Sequence, residues 1–176
     1  LTPLPKGTRA SVTGKEGEWL RLDYGGWIKA EETKTLPDKV PPISLIRSVN
    51  SRQTNQGIEI IFPLQNPVPI SIKQGNESFS LTLYNTIAQT DTIRFDDNPL
   101  IKRLDWQQVT PTQIEYTFNL KSDQQWGYDV RYEGTSLILL LRYKPPLRSN
   151  RGQNLDGITI LLDPGHGGKE LGSVGP

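Results

Sequence analysis

His166 is the only histidine in the chain. It stands in a glycine-rich loop, Asp163-Pro164-Gly165-His166-Gly167-Gly168-Lys169-Glu170, followed shortly by Gly172. Glycine lets the backbone approach a ligand closely or take positive φ, so such a loop can fit itself around a bound group. The loop follows the apolar run Ile158-Thr159-Ile160-Leu161-Leu162, which has the composition of a buried strand. A side chain just past the carboxyl end of such a strand lies where open α/β sheets place their ligands. That setting lifts His166 above the usual structural reading of a lone histidine. Two phosphate-binding readings fail on spacing. The P-loop needs Gly-x-x-x-x-Gly-Lys-Ser/Thr, whereas Gly168-Lys169 is followed by Glu170 and position 163 is Asp. The dinucleotide pattern Gly-x-Gly-x-x-Gly breaks at Glu170, whose charge would repel a pyrophosphate.

The phrase Leu162-Asp163-Pro164-Gly165-His166-Gly167-Gly168-Lys169-Glu170, with Gly172, resembles the opening strand and loop of the zinc-dependent N-acetylmuramoyl-L-alanine amidases. Glu170 replaces the family's usual Asp. The resemblance implies that His166 is the first zinc ligand. It also implies a Glu and a second His as further ligands and a later Glu as general base, none of which matches a position in these 176 residues. The chemistry explains such a set. Zinc polarises the amide carbonyl and lowers the pKa of bound water to roughly 7. Three protein ligands leave the fourth position open for that water, and a carboxylate takes its proton. One His cannot hold zinc in this way, so no catalytic residue is expected within this chain and the chain alone is expected to be inactive. Asp163 has two readings. It accepts the second N–H of a metal-bound imidazole, or it simply ends the strand with Pro164.

The rest of the sequence sets the elements around this loop. A length of 176 residues suits one ordinary domain or two small ones. Lys plus Arg is 20 and Asp plus Glu is 19, a net charge of +1 that argues against nucleic-acid binding. With 16 Gly and 14 Pro the chain is rich in turns, which disfavours a helical bundle. No apolar run approaches the ~18 residues of a membrane span. Cysteine is absent, which excludes disulfides and thiol catalysis. Methionine is absent too, and Leu1 reads as a cut end.

These features predict a mainly β chain with four parts. Residues 1–38 carry short alternating strands punctuated by Gly, the pattern of a small barrel or meander. Their phrases Leu-Pro-Lys-Gly-Thr (4–8), Glu-Trp-Leu-Arg-Leu (18–22) and Gly-Trp-Ile-Lys-Ala (26–30) resemble bacterial Src-homology-3-like domains. Only three residues precede the Leu-Pro turn, so the barrel is incomplete or another segment completes it.

Residues 41–146 contain an internal repeat. Residues 57–64 match 113–120, 70–72 match 128–130, and 79–83 match 137–141. Ile43 to Val49 and Leu100 to Trp106 give each half an opening strand. Two similar sheets, one from each half, would hide their apolar faces by packing together as a sandwich. The phrase Trp126-Gly127-Tyr128-Asp129-Val130-Arg131-Tyr132-Glu133-Gly134 makes this region resemble the AMIN domain of cell-envelope amidases. Residues 147–157, after Pro145-Pro146, read as a linker. Residues 158–176 read as the truncated start of an α/β catalytic domain, either disordered or pinned as an added strand on an exposed edge.

Outside the loop, Trp19, Tyr24 and Trp27 are either an aromatic ledge for glycan or peptide or the filling of a small core. The same choice holds for Trp106, Trp126, Tyr128 and Tyr132. Asp96-Asp97-Asn98-Pro99 reads as a turn rather than an acid–base pair. By resemblance the chain is the envelope-targeting or regulatory region of a peptidoglycan hydrolase. Zinc is then expected only in the complete enzyme. The cell envelope is its compartment, and peptidoglycan or an envelope or cell-division protein is its partner. The competing reading is a non-catalytic module that binds the wall or another protein.

Overall fold

The computed structural model describes residues 4–37, 43–90, 93, 95, 98–145, 160–162 and 165. The chain divides into two units, Leu1–Lys144 and Pro145–Pro176. The structure is mainly β, and among the described residues no helix is long and apolar enough to cross a membrane.

The first unit begins with β1 (Val12–Glu16), β2 (Trp19–Leu22) and β3 (Trp27–Lys29), an antiparallel meander in the order β1-β2-β3. Its two turns are made by Gly17 at φ 55° and Gly25 at φ 91°, backbone states that cost glycine nothing sterically. Leu22 is buried, with Leu20 and Ile28 half-buried on the same face. Three short strands are too few to close, so this segment is an open sheet rather than a barrel.

The remaining strands are β4 (Ser44–Ile46), β5 (Asn50–Gln53), β6 (Gly57–Phe62), β7 (Ile70–Gln74), β8 (Ser78–Tyr84), β9 (Thr86–Ala88), β10 (Ile101–Thr110), β11 (Gln113–Leu120), β12 (Tyr128–Glu133) and β13 (Ser136–Arg142). Two four-stranded sheets form, β10-β11-β8-β7 and β12-β13-β6-β5. Their inner faces share one apolar core. Ring contacts cross it from sheet to sheet, Phe62 to Tyr116 at 4.9 Å and Phe79 to Tyr128 at 5.1 Å.

The halves of the repeat do not form one sheet each, as the sequence predicts. Each sheet takes the opening hairpin of one half and the closing hairpin of the other. Ile60 pairs with Leu139, and the repeat-related Tyr116 pairs with Leu81. The cause lies between β6 and β7, where Pro63, Pro67 and Pro69 interrupt the run. Proline cannot donate to a ladder, so the chain leaves one sheet there and enters the other. In the second half Gly127, at φ 96°, stands in the corresponding stretch.

The expected opening strand at 43–49 is also divided. Its first part is β4, which pairs in parallel with β9, and only β5, from Asn50 onward, joins the sheet of β6. Gln108 fastens this small pair to β10. Its carboxamide accepts from the Ala88 amide at 3.2 Å and donates to the Thr86 carbonyl at 3.0 Å. Asn98 opens β10 by accepting from the Leu100 and Ile101 amides at 2.9 and 2.8 Å, as its turn position predicts.

The outer faces of the two sheets differ. On β10-β11-β8-β7 the outer rows are polar, with Ser71, Thr82, Glu115 and Gln107 in one row and Lys73, Ser80, Thr117 and Asp105 in the next. On the repeat-related sheet the corresponding central positions are Ile138 and Leu140, which are 2% and 5% exposed. Arg131 of β12 reaches Glu59 of β6 at 2.8 Å. Since β13 runs between those strands, the Arg131 stem lies over this apolar pair.

In the second unit, residues 160–162 belong to no strand, and Ile160, Leu161 and Leu162 are 60%, 91% and 80% exposed. The buried strand expected at 158–162 is therefore not formed over its described residues. A parallel-type strand needs ladder partners on both sides, and these three residues pair with none among the described ones. The linker expected at 147–157 lies outside the described residues.

Candidate ligand-binding face

Trp19 and Trp27 are 45% and 47% exposed, so neither is core. Register explains why they act together. Trp19 pairs with Lys29 across β2 and β3, and Trp27 pairs with Arg21. Side chains two apart on a strand share a face. Trp19, Arg21, Trp27 and Lys29 therefore form a small checkerboard of indoles and cations on one side of the meander. The Lys29 Nζ is 6.0 Å from the Trp19 ring centroid and 3.6 Å from the Glu31 carboxylate. Gly14 and Glu16 of β1 lie opposite Arg21 and Trp19 and complete the two rows.

Tyr24 does not join this face, and the sequence trio divides. Its ring packs on Tyr84 at 5.3 Å. Burial, then Asp23 and Tyr84, push its phenol above the ordinary range. Beside it the Asp23 carboxylate accepts from the Ser11 amide at 2.9 Å and from the Asn85 carboxamide at 3.3 Å. Tyr24 thus joins the meander to the end of β8, and Asp23 joins it to the turn that follows.

The other aromatic candidates divide in the same way. Trp106 and Tyr128 are 37% and 41% exposed, although Tyr128 still packs its ring on Phe79. Trp126 is half-buried, with the Lys144 Nζ 6.0 Å from its ring centroid. Tyr132 is a tie between the sheets, with its hydroxyl 2.8 Å from the Val68 carbonyl oxygen. A cavity of about 280 Å³ adjoins it, lined chiefly by Leu4, Pro5, Val68, Ile70 and Val130. Its polar lining residues are Arg131 and Tyr132, and both are engaged elsewhere, Arg131 with Glu59 and the Tyr132 hydroxyl with Val68.

His166 and Asp163 lie outside the described residues. Among the described residues no group of three His, Cys, Asp or Glu side chains converges as a metal site.

Two features escaped the sequence reading. One is the pair of cations beside the indoles, which the alternation 19/21 and 27/29 could have revealed. The other is Glu59, 6% exposed between Arg52 and Arg131. The hydrogen bond from Arg131 lowers its pKa, and Arg52 adds to this against the opposing effect of burial. Glu59 is fully engaged with these two partners, which makes it structural.

Comparisons of the chain with protein-family models, with curated proteins and with solved structures find no match.

Proposed function

We propose that this chain is the wall-targeting region of a zinc-dependent N-acetylmuramoyl-L-alanine amidase, with the two β segments as the binding part. The observation that carries this reading is the phrase from Leu162 to Gly172, with its single His between glycines. The exposed Trp19 and Trp27 support the binding half. Indoles held out of a core offer flat apolar surfaces, and such residues mark contact sites more often than solvated ones.

The residues of this chain do not fit a complete zinc site. One His supplies one ligand where a catalytic site needs three. We therefore assign no catalytic step to these 176 residues.

The test is co-sedimentation with purified peptidoglycan. The chain is expected in the pellet, and a Trp19→Ala/Trp27→Ala variant in the supernatant. A chain that stays in the supernatant would sink the targeting role. The amidase parentage is tested by the coding sequence after residue 176: Glu and His ligand codons support it, and a stop codon counts against it.

A further inference from the structure

The two indoles account for apolar contact, but not for the cations between them. Arg21 has no carboxylate within ion-pair distance among the described residues, and it is exposed. Lys29 has only Glu31 at 3.6 Å, and that carboxylate side chain is itself 76% exposed, so water or a ligand can displace it. The two cations occupy diagonal positions across β2 and β3, the spacing at which long side chains reach a common point. Register puts a guanidinium and an ammonium on the same face, Arg21 with no carboxylate partner among the described residues and Lys29 with only the exposed Glu31. A neutral sugar has no use for both, whereas a carboxylate can take two hydrogen bonds from Arg alone. Glu16, opposite Trp19 on the β1 side, makes the face polar in direction. It repels an anion at that edge and favours one over Arg21 and Lys29.

We infer that the Trp19–Trp27 face recognises a peptide by its free terminal carboxylate, which Arg21 and Lys29 receive while the indoles cover the adjoining apolar groups. This rests on the wall-targeting reading above and specifies which chemical end of the wall polymer is bound. Glu16 then acts as the group that sets the orientation of the bound peptide.

The experiment uses the full chain and acetyl-D-alanyl-D-alanine, once as the free acid and once as the C-terminal amide. Indole N–H resonances of Trp19 and Trp27 are followed by NMR, with Trp106 and Trp126 as internal controls. The acid is expected to shift both face resonances saturably and at least tenfold more tightly than the amide. Arg21→Gln and Lys29→Gln should each reduce that preference, and Glu16→Gln should strengthen acid binding. Equal binding of acid and amide overturns the inference. So does silence from both peptides in a chain that still sediments with peptidoglycan, which leaves the targeting reading standing. Silence together with failure to sediment overturns both.

Discussion

The Tyr132 hydroxyl donates to the Val68 carbonyl at 2.8 Å and accepts from the Val68 amide at 3.2 Å. One side chain of β12 thus satisfies both backbone groups of a residue just ahead of β7, across the open seam between the sheets. Val68 is 1% exposed, so water cannot easily take over either bond. Tyr132→Phe keeps the ring and leaves both groups unpaired. It should cost about 1–3 kcal/mol, the range for orphaned buried polar groups, measured by urea unfolding.

The same phenol predicts a pH dependence. Burial pushes the Tyr132 pKa up to about 12, against an ordinary value of 10.0. Burial pushes Tyr116 in the same direction. A raised folded pKa means that the native state holds its proton where the unfolded chain has lost it. The stabilisation is complete below pH 10 and is lost as the pH climbs through the folded value. Unfolding midpoints should be insensitive to these groups at neutral pH and fall from pH 10 upward. Tyr132→Phe should flatten part of that alkaline slope. An unchanged slope would remove Tyr132 as a contributor.

Glu59 predicts the opposite limb. Its pKa is lowered chiefly by the hydrogen bond from Arg131, aided by Arg52. A depressed folded pKa gives stability that is present above the ordinary carboxylate range and lost as pH falls through the folded value. Glu59→Gln should cost about 1.5–3 kcal/mol at pH 7, the scale of charge-assisted hydrogen bonds. The variant should also lose acid sensitivity relative to the parent. Thermal melts between pH 3 and 7 separate these outcomes.

The aromatic trio should separate by assay. Trp19→Ala and Trp27→Ala remove rings that are nearly half exposed, so each should cost only about 1 kcal/mol of cross-strand packing while peptidoglycan binding falls. Tyr24→Ala removes the packing on Tyr84. It should cost about 1–2 kcal/mol, because an aromatic pair adds to the buried area lost. Melting and sedimentation run on the same three variants would show whether this division holds.

Gly57 is the most demanding glycine of the sheet. A Cβ there would collide with the Leu141 carbonyl oxygen and stand 2.9 Å from the Arg142 Cα. Both neighbours are backbone of the paired strand and cannot swing aside. Gly57→Ala should cost about 3 kcal/mol, the upper end for overpacking. Gly14→Ala, whose new Cβ would meet only the Arg21 Cβ at 3.7 Å, should change stability by less than about 1 kcal/mol. Urea unfolding of the two variants side by side checks the contrast.

The strands were legible because alternation survives in them. Residues 57–62, 79–83, 113–120 and 137–141 lie in ladders where the pattern places them. The internal repeat was legible for the same reason. The exchange of hairpins between the halves was not, because strand pairing is a long-range choice that period-2 patterning leaves open. The prolines at 63, 67 and 69 were the available signal. Tyr24 packs on Tyr84 and not beside Trp19 and Trp27, because composition does not reveal which face a turn residue takes. Ile138 and Leu140 read as ordinary strand residues, and only the register shows that they point away from the core. The cover that Arg131 gives them depends on Glu59, 72 positions away in the chain.

The exchange of hairpins makes the two halves of the repeat depend on each other to complete either sheet. One half taken alone holds one hairpin of each sheet, and the inner strand of each hairpin lacks its second neighbour. It could complete both sheets only by capturing a second copy of itself, so its folding would depend on concentration. Joining two halves in tandem converts that association into a unimolecular event, with the connection from β9 to β10 setting the effective concentration. The chain is, in this sense, a dimer written into one polypeptide. Within that single chain the two outer faces differ, one carrying polar rows and the other the buried Ile138 and Leu140 pair.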